Sequence, residues 1–566
     1  MMKMTGARAV LECLKREGVD VVFGYPGGAI LPLYEEMYKD NFRHILTGHE
    51  QGAVHAADGY ARVTDRPGVC IATSGPGVCN MVTGIATANM DSIPMVIISG
   101  QVPTGLIGRD SFQEADISGI MSPITKHNYL VKNAASIPRV LKEAFYIAST
   151  GRPGPVLIDI AKDALEAEIY FQYPDKVHLP GYVVETTGQA YDIDRAVTMI
   201  QHSQKPVFLV GGGVILSETT KYLEDIVNTT KIPVVTTLMG KGAIPDSHEL
   251  HLGMGGMHGS YASNKAISGC DLLIALGARF DERLTSRADT FAPNAQIIHF
   301  EIDDVEIDKI IDIDLGIKGD LRWSLPIFAK KLKEGAFDYG AAFADWRHEV
   351  LAMKKSHPFA TPPRPGCISP QSIFAAVRDI TRDDDTVAIT DVGQHQMWAA
   401  QFFTTDEPKH FISSGGLGTM GFGLPAALGA KVACPEKTVV VFSGDSSILM
   451  NCQEFATLSE YGIDVKVIVL HNDTLGMIVQ LQDFFYNHHY SQCTLNKRKN
   501  LPMLAESLGV KGYAIEKQDD LIPVLKEAFA HKGPALVDIR ISPEERVYPT
   551  VPGGKALSDM ILGGDA

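Results

Sequence analysis

Apolar runs of strand length alternate with amphipathic stretches through most of this chain. In the first part, residues 21–23, 44–47, 69–73, 95–98 and 156–159 are apolar or β-branched, and residues 7–17 carry a helical amphipathic period. A second set of runs stands at 206–213, where a strand ends in a glycine turn, and at 233–237, 272–276 and 297–302. A third set stands at 387–391, 438–442, 465–470 and 535–539. Continuous apolar runs mark strands buried on both faces. Their alternation with helices predicts doubly wound parallel sheets, an α/β fold. Residues 172–189 show no period and read as a linker, while the polar stretch 331–355 and the Pro-rich stretch 358–370 separate the second part from the third. The expected domains are therefore 1–165, 190–335 and 365–545, with a tail at 546–566. The first and third look like similar sheets.

One strand–helix–strand unit carries candidate chemistry. The run 438–442 stops at Gly444-Asp445, a helical pattern follows at about 451–461, and the run 465–470 ends at His471-Asn472. Asp445 and Asn472 then stand at the carboxyl ends of parallel strands, the edge where open α/β sheets bind ligands. A carboxylate, an amide oxygen and a nearby backbone carbonyl are hard oxygen ligands that suit Mg²⁺. Taken singly, Asp445 reads equally well as a helix cap and Asn472 as a turn residue. Gly416-Leu-Gly418-Thr-Met420-Gly421 matches a dinucleotide pattern, but no clean strand precedes it, so a nicotinamide site is not the reading.

Composition narrows the partners. With 566 residues the chain has room for three or four domains, and 45% hydrophobic against 21% charged residues is an ordinary globular balance. A formal net charge of −16 argues against nucleic acid and anionic membrane surfaces. The eight cysteines form no Cys-x-x-Cys pair, which fits reduced thiols in a cytoplasmic protein. The first residues lack an apolar signal core and no apolar run reaches membrane-span length, so no membrane association is expected; an organellar mature form is the alternative.

Gly444-Asp445-Ser446 followed by His471-Asn472 resembles the diphosphate-anchoring motif of thiamine diphosphate enzymes, with Ser446 in place of a glycine and His471 in place of an asparagine. The string from His49-Glu50 to Arg62 resembles their activating helix, whose glutamate exchanges a proton with the cofactor's aminopyrimidine ring. Ser413 to Pro425 resembles their pyrimidine-cradling loop, and Asp391 to His395 the loop that meets the diphosphate. For thiamine diphosphate the resemblance implies Glu50, Val392, Gly393, Gln394, His395, Gly418, Met420, Gly444, Ser446, Ser447, Gly476 and Met477. For Mg²⁺ it implies Asp445, Asn472 and Thr474.

Further strings narrow the family: Ser74 to Gly77, Phe112 to Asp116, Thr125-Lys126, Gly151 to Pro155, Gly277 to Arg283 and Met477 to Gln480. Together they resemble the catalytic large subunit of acetohydroxyacid synthase, also called acetolactate synthase. The resemblance implies FAD, in a structural role, held by Arg152, His258, Gly277, Arg279, Asp281, Glu301, Ile302 and Asp320. It implies an active site lined by Gly28, Gln113 and Lys126 beside Glu50, and a substrate pocket with Phe112, Arg283 and Leu481, where the family usually has Trp at 481. The implied reaction decarboxylates pyruvate and joins the remainder to pyruvate or 2-ketobutyrate, the first common step of branched-chain amino acid synthesis. The implied assembly is a homodimer or tetramer, with a small regulatory subunit as a further partner. Two alternatives stand beside this reading. One is a 2-ketoacid decarboxylase or pyruvate oxidase, disfavoured by the Phe112 and Arg279 strings. The other is a silent paralogue, suggested by Ser446, His471 and Leu481 and opposed by Glu50, Asp445 and Asn472.

Overall fold

A computed structural model describes residues 2–361, 364–495 and 499–563, and those residues form three six-stranded parallel sheets. The first holds Val22–Gly24 (β1), His44–Leu46 (β2), Gly68–Ala72 (β3), Met95–Gln101 (β4), His127–Val131 (β5) and Pro155–Ala161 (β6), in the order β2-β1-β3-β4-β6-β5. The second holds Pro206–Val210 (β7), Val234–Thr236 (β8), His251–Met254 (β9), Leu272–Leu276 (β10), Gln296–Glu301 (β11) and Leu315–Lys318 (β12), in the order β9-β8-β7-β10-β11-β12. The third holds Thr386–Thr390 (β13), Phe411–Ile412 (β14), Thr438–Gly444 (β15), Val465–His471 (β16), Lys511–Ile515 (β17) and Ala535–Arg540 (β18), in the order β14-β13-β15-β16-β18-β17. The first and third sheets thus share one strand order. The second has the order of dinucleotide-binding folds, which reverses direction between β7 and β10.

Alternation of side chains along the central strands feeds two cores per sheet. In β4, Met95 and Ile97 enter one buried cluster while Val96 and Ile98 enter another. The first cluster is shared, because Val439, Val441, Val465 and Val467 of the third sheet pack into it as well. Between the two sheets lie the helices Glu50–Val63 (α1) and Gly423–Ala433 (α2). Gly59 sits on the Ala426 carbonyl and Gly429 on the Ala56 carbonyl, closer than any side chain allows. That pairing makes the helices antiparallel, and glycines are what let the two backbones meet.

Residues 172–189 contain no helix or strand, in keeping with a linker. The polar stretch at 331–355 differs from expectation. It is largely helical, and Ala344–Ser356 buries Trp346 and Val350 against the middle sheet, with Trp346 Nε1 donating to the Pro206 carbonyl at 3.1 Å. Its polar residues are the outer face of an amphipathic helix. The tail also returns to the middle sheet, where Val551 and Leu557 are buried. Its last three residues, and Pro362-Pro363 of the Pro-rich stretch, lie outside the described residues.

Candidate active site

Strands β15 and β16 are parallel neighbours, with Gly444 opposite Leu470, so Asp445 and Asn472 leave adjacent strand ends. Both are buried, at 2% and 7% exposure. Asn472 Oδ1 accepts from the Thr474 N–H at 3.1 Å, and Asn472 Nδ2 donates to Gln394 Oε1 at 3.1 Å. A Cβ at Gly444 would lie 2.9 Å from His395 Nδ1, and one at Gly476 would collide with Gln394. Those glycines therefore let the 391–395 loop meet the ends of β15 and β16. His395 is buried, its Nε2 has no partner among the described residues, and burial pushes its pKa down to about 3. It is a neutral imidazole with a nitrogen free for a ligand. Burial also raises the Asp445 carboxyl, against the pull of His471 and Lys499. The Lys499 ammonium is 3.4 Å from Asp445 Oδ2 and 3.3 Å from the Asp445 carbonyl, so this spot already accepts a cation.

The two departures from the motif have visible settings. Ser446 has φ −96°, right-handed backbone that needs no glycine. His471 is fully buried, with Nδ1 2.8 Å from Asp538 Oδ1 and Nε2 3.0 Å from Asp473 Oδ1. Burial opposes its charge, yet the Asp538 hydrogen bond holds its pKa above the ordinary value. Asp445, His471 and Asp473 bring their ligand atoms within 4.8 Å of one another.

Glu50 opens α1 directly after β2 and is 9% exposed. Asn80 Nδ2 donates to its Oε2 at 2.9 Å. The glycine loop needs its glycines, because Gly418 and Gly421 have φ +68° and +88°. Asp391 Oδ1 accepts from the Gly421 N–H at 2.8 Å, and Asp91 Oδ1 accepts from the Gly416 N–H at 2.7 Å. Asp91 in turn receives Arg62 Nη2 at 2.8 Å, tying the loop to α1. Asn80, Asp91 and Arg62 were missed as site residues because singly they read as helix polar positions. Only the fold brings Asp91 and Arg62 to the loop, and Asn80 to Glu50.

The active-site lining splits. Gln113 has φ +60° and packs on Gly75, while Gly28 is exposed and Phe112 is 87% exposed. Lys126 turns elsewhere: its ammonium donates to the Ile147 and Thr150 carbonyls at 2.5 and 2.7 Å, and burial lowers it to about 8. Leu481, on the helix Gly476–Phe485, is 43% exposed. Arg283 Nη1 donates to the Gly415 carbonyl at 3.2 Å, linking the middle sheet to the glycine loop.

A cavity of about 240 Å³ opens where the three sheets meet, at the carboxyl ends of β7 and β10. Arg152, His258, Gly277, Arg279, Asp281, Glu301, Ile302 and Asp320 all line it, as do Gly211 to Gly213. This is the switch point of the middle sheet, where such folds bind nucleotides.

Three models of thiamine pyrophosphate enzymes match the chain: the N-terminal TPP binding domain at residues 4–120, the central domain at 193–327 and the C-terminal TPP binding domain at 391–539. The fold is that of a thiamine pyrophosphate enzyme. The acetolactate synthase large subunit of Mycobacterium tuberculosis is 46% identical over 99% of this chain and 92% of its own length. That of Corynebacterium glutamicum is 45% identical over 99% and 90%, and that of Pyropia yezoensis 45% identical over 98% and 95%. The chain belongs to the acetolactate synthase large-subunit family.

Proposed function

We propose that this protein decarboxylates pyruvate and joins the remaining two-carbon unit to a second 2-ketoacid. With pyruvate as acceptor the product is 2-acetolactate; with 2-ketobutyrate it is 2-aceto-2-hydroxybutyrate. This is the first common step towards the branched-chain amino acids. The observation that carries the reading is the convergence of Asp445, Asn472, Gln394 and His395 at the ends of β15 and β16, in a chain of this family. The residues fit the groups they are read to hold. Asp445 Oδ, Asn472 Oδ1 and the Thr474 carbonyl would take Mg²⁺, at a spot where the Lys499 ammonium now rests. His395 and the glycine-bounded 391–395 loop would meet the diphosphate, and Met420 the pyrimidine. When bound, thiamine diphosphate supplies the electron sink for decarboxylation. The chain itself supplies the proton: Asn80 holds Glu50 Oε2, which leaves Oε1 to exchange it.

FAD is read into the cavity at the switch point, where Arg152 and Arg279 offer cations for phosphates. The antiparallel α1–α2 pair supports a site built from two chains, and so a homodimer at least. Glu50 lies beside the far end of α2, about 18 Å along the axis from the end that the glycine loop leads into. The parts 1–165, 190–335 and 365–545 would serve the pyrimidine, FAD and diphosphate respectively. Eight free cysteines support a reducing, cytoplasmic setting, and no described helix is long and apolar enough to cross a membrane. The test is pyruvate turnover with and without thiamine diphosphate and Mg²⁺, assayed as acetoin after acidification. Product that needs both and is lost in Glu50→Gln is the expected result. Product formed without either contradicts the reading.

A further inference from the structure

Glu454 is a buried acid that the site described above does not use. It opens the helix Glu454–Glu460 in the third-sheet domain and is fully buried. The Gly48 N–H, in the first-sheet domain, donates to Glu454 Oε2 at 3.0 Å. The His49 N–H also reaches the carboxylate, and Thr457 Oγ1 donates to Oε2 at 2.8 Å. Gly52, in the first turn of α1, faces Oε1 so closely that no side chain fits between them. Residues 48, 49 and 52 bracket Glu50. One carboxylate from another domain therefore holds the backbone just before the residue read as the proton-exchanging acid and packs against the backbone just after it.

We infer that Glu454 is a positioning residue: its Oε2 fixes the entry into α1, and with it the direction of the Glu50 carboxylate. The inference rests on the reading of Glu50 given above. A plain helix cap does not account for the contact. The start of α1 already has one, since His49 Nδ1 accepts from the Gln51 N–H at 3.1 Å. The acceptor from Glu454 is additional and non-local. Oε1 has no partner among the described residues, and burial pushes the carboxyl up to about 7, so Oε2 accepts in either protonation state. A glutamine reproduces that acceptor. An aspartate keeps the charge but withdraws the oxygen by one methylene.

The test compares Glu454→Gln, Glu454→Asp and Glu50→Gln in the full chain. The first readout is deuterium exchange at the thiazolium carbon of bound thiamine diphosphate. The second is protection of the Gly48 amide in protein without cofactor. Glu454→Gln should exchange within about threefold of the parent. Glu454→Asp should exchange at least about tenfold more slowly, with a lower kcat, an unchanged KM for pyruvate and a less protected Gly48 amide, as small misplacements of reacting groups produce. Should Glu454→Asp fail to fold, Gly52→Ala, which presses on the same carboxylate, is expected to slow exchange likewise. Parent-like exchange in Glu454→Asp or Gly52→Ala, or a Glu454→Gln as slow as Glu454→Asp, overturns the inference. Parent-like exchange in Glu50→Gln instead overturns the reading of Glu50 on which it rests.

Discussion

Gly59 lies against the Ala426 carbonyl where α1 crosses α2, and three residues earlier on α1 the Ala56 carbonyl lies against Gly429. The antiparallel register that follows separates the acid of α1 from the loop that opens α2. Within one chain Glu50 bonds to Asn80, while Asp445 and Asn472 gather at the ends of β15 and β16.

Two inactive variants should therefore complement each other. Glu50→Gln and Asp445→Ala, each nearly inactive alone, should on mixing and reassembly recover about a quarter of parent activity, because half the dimers are mixed and each mixed dimer has one intact site. No recovery in dimers shown to be mixed places Glu50 and Asp445 of one chain in the same site.

The middle-sheet cavity should hold one flavin per chain. Gly277 has φ +54°, and a Cβ there would lie 2.8 Å from Gly213 Cα, so Gly277→Val should close the switch point. The parent should purify yellow, and the variant should lose its flavin absorbance while it still binds thiamine diphosphate. A colourless, fully active parent that gains nothing from FAD contradicts this.

Glu454 should make stability depend on pH. Burial raises its pKa from 4.5 to about 7, so the folded chain keeps a proton that the unfolded chain gives up. The contribution is full below about 4.5 and lost as pH rises through about 7, worth about 3 kcal/mol across the window. Urea unfolding of parent and Glu454→Gln measures it: the parent's stability relative to the variant should fall by that amount between pH 4.5 and 7. A constant difference shows that Glu454 titrates normally.

Leu481 should weaken the preference for 2-ketobutyrate. It is 43% exposed and lacks the flat face of the tryptophan usual in the family, so contact with the extra methyl group is reduced. One methylene in an apolar pocket is worth about 1–3 kcal/mol. In competition with both ketoacids, Leu481→Trp should raise the share of 2-aceto-2-hydroxybutyrate by about tenfold or more. A parent that already strongly favours 2-ketobutyrate, with a variant that changes nothing, shows that Phe484 or Phe485 fills the space.

The central strands were legible because burial on both faces leaves continuous apolar runs such as 438–442 and 465–470. In the three six-stranded sheets the strands that escaped are edge strands: β5, β9, β12, β14 and β17; the antiparallel pair Met2–Thr5 and Glu168–Phe171, outside those sheets, escaped as well. In β5 and β17 the residues are mostly exposed or half-buried, and β14 has only two residues, so no apolar run marks them. The site divided in the same way. Asp445, Asn472, Glu50 and the eight cavity residues carry local signatures. Asp91 and Glu454 act across domains, Asn80 meets Glu50 within one, and nothing in their neighbours in sequence reveals the partner. Lys126 shows the converse, since its string fits the family while its ammonium rests on helix carbonyls.

Carbon–carbon bond formation is the central claim, and pyruvate labelled with carbon-13 at its keto carbon tests it directly. The protein, with thiamine diphosphate, Mg²⁺ and FAD, should yield acetolactate whose labelled acetyl carbonyl and labelled carbinol carbon are directly bonded, visible by NMR as a one-bond carbon–carbon coupling. Labelled acetaldehyde or acetate without that coupled pair would contradict it.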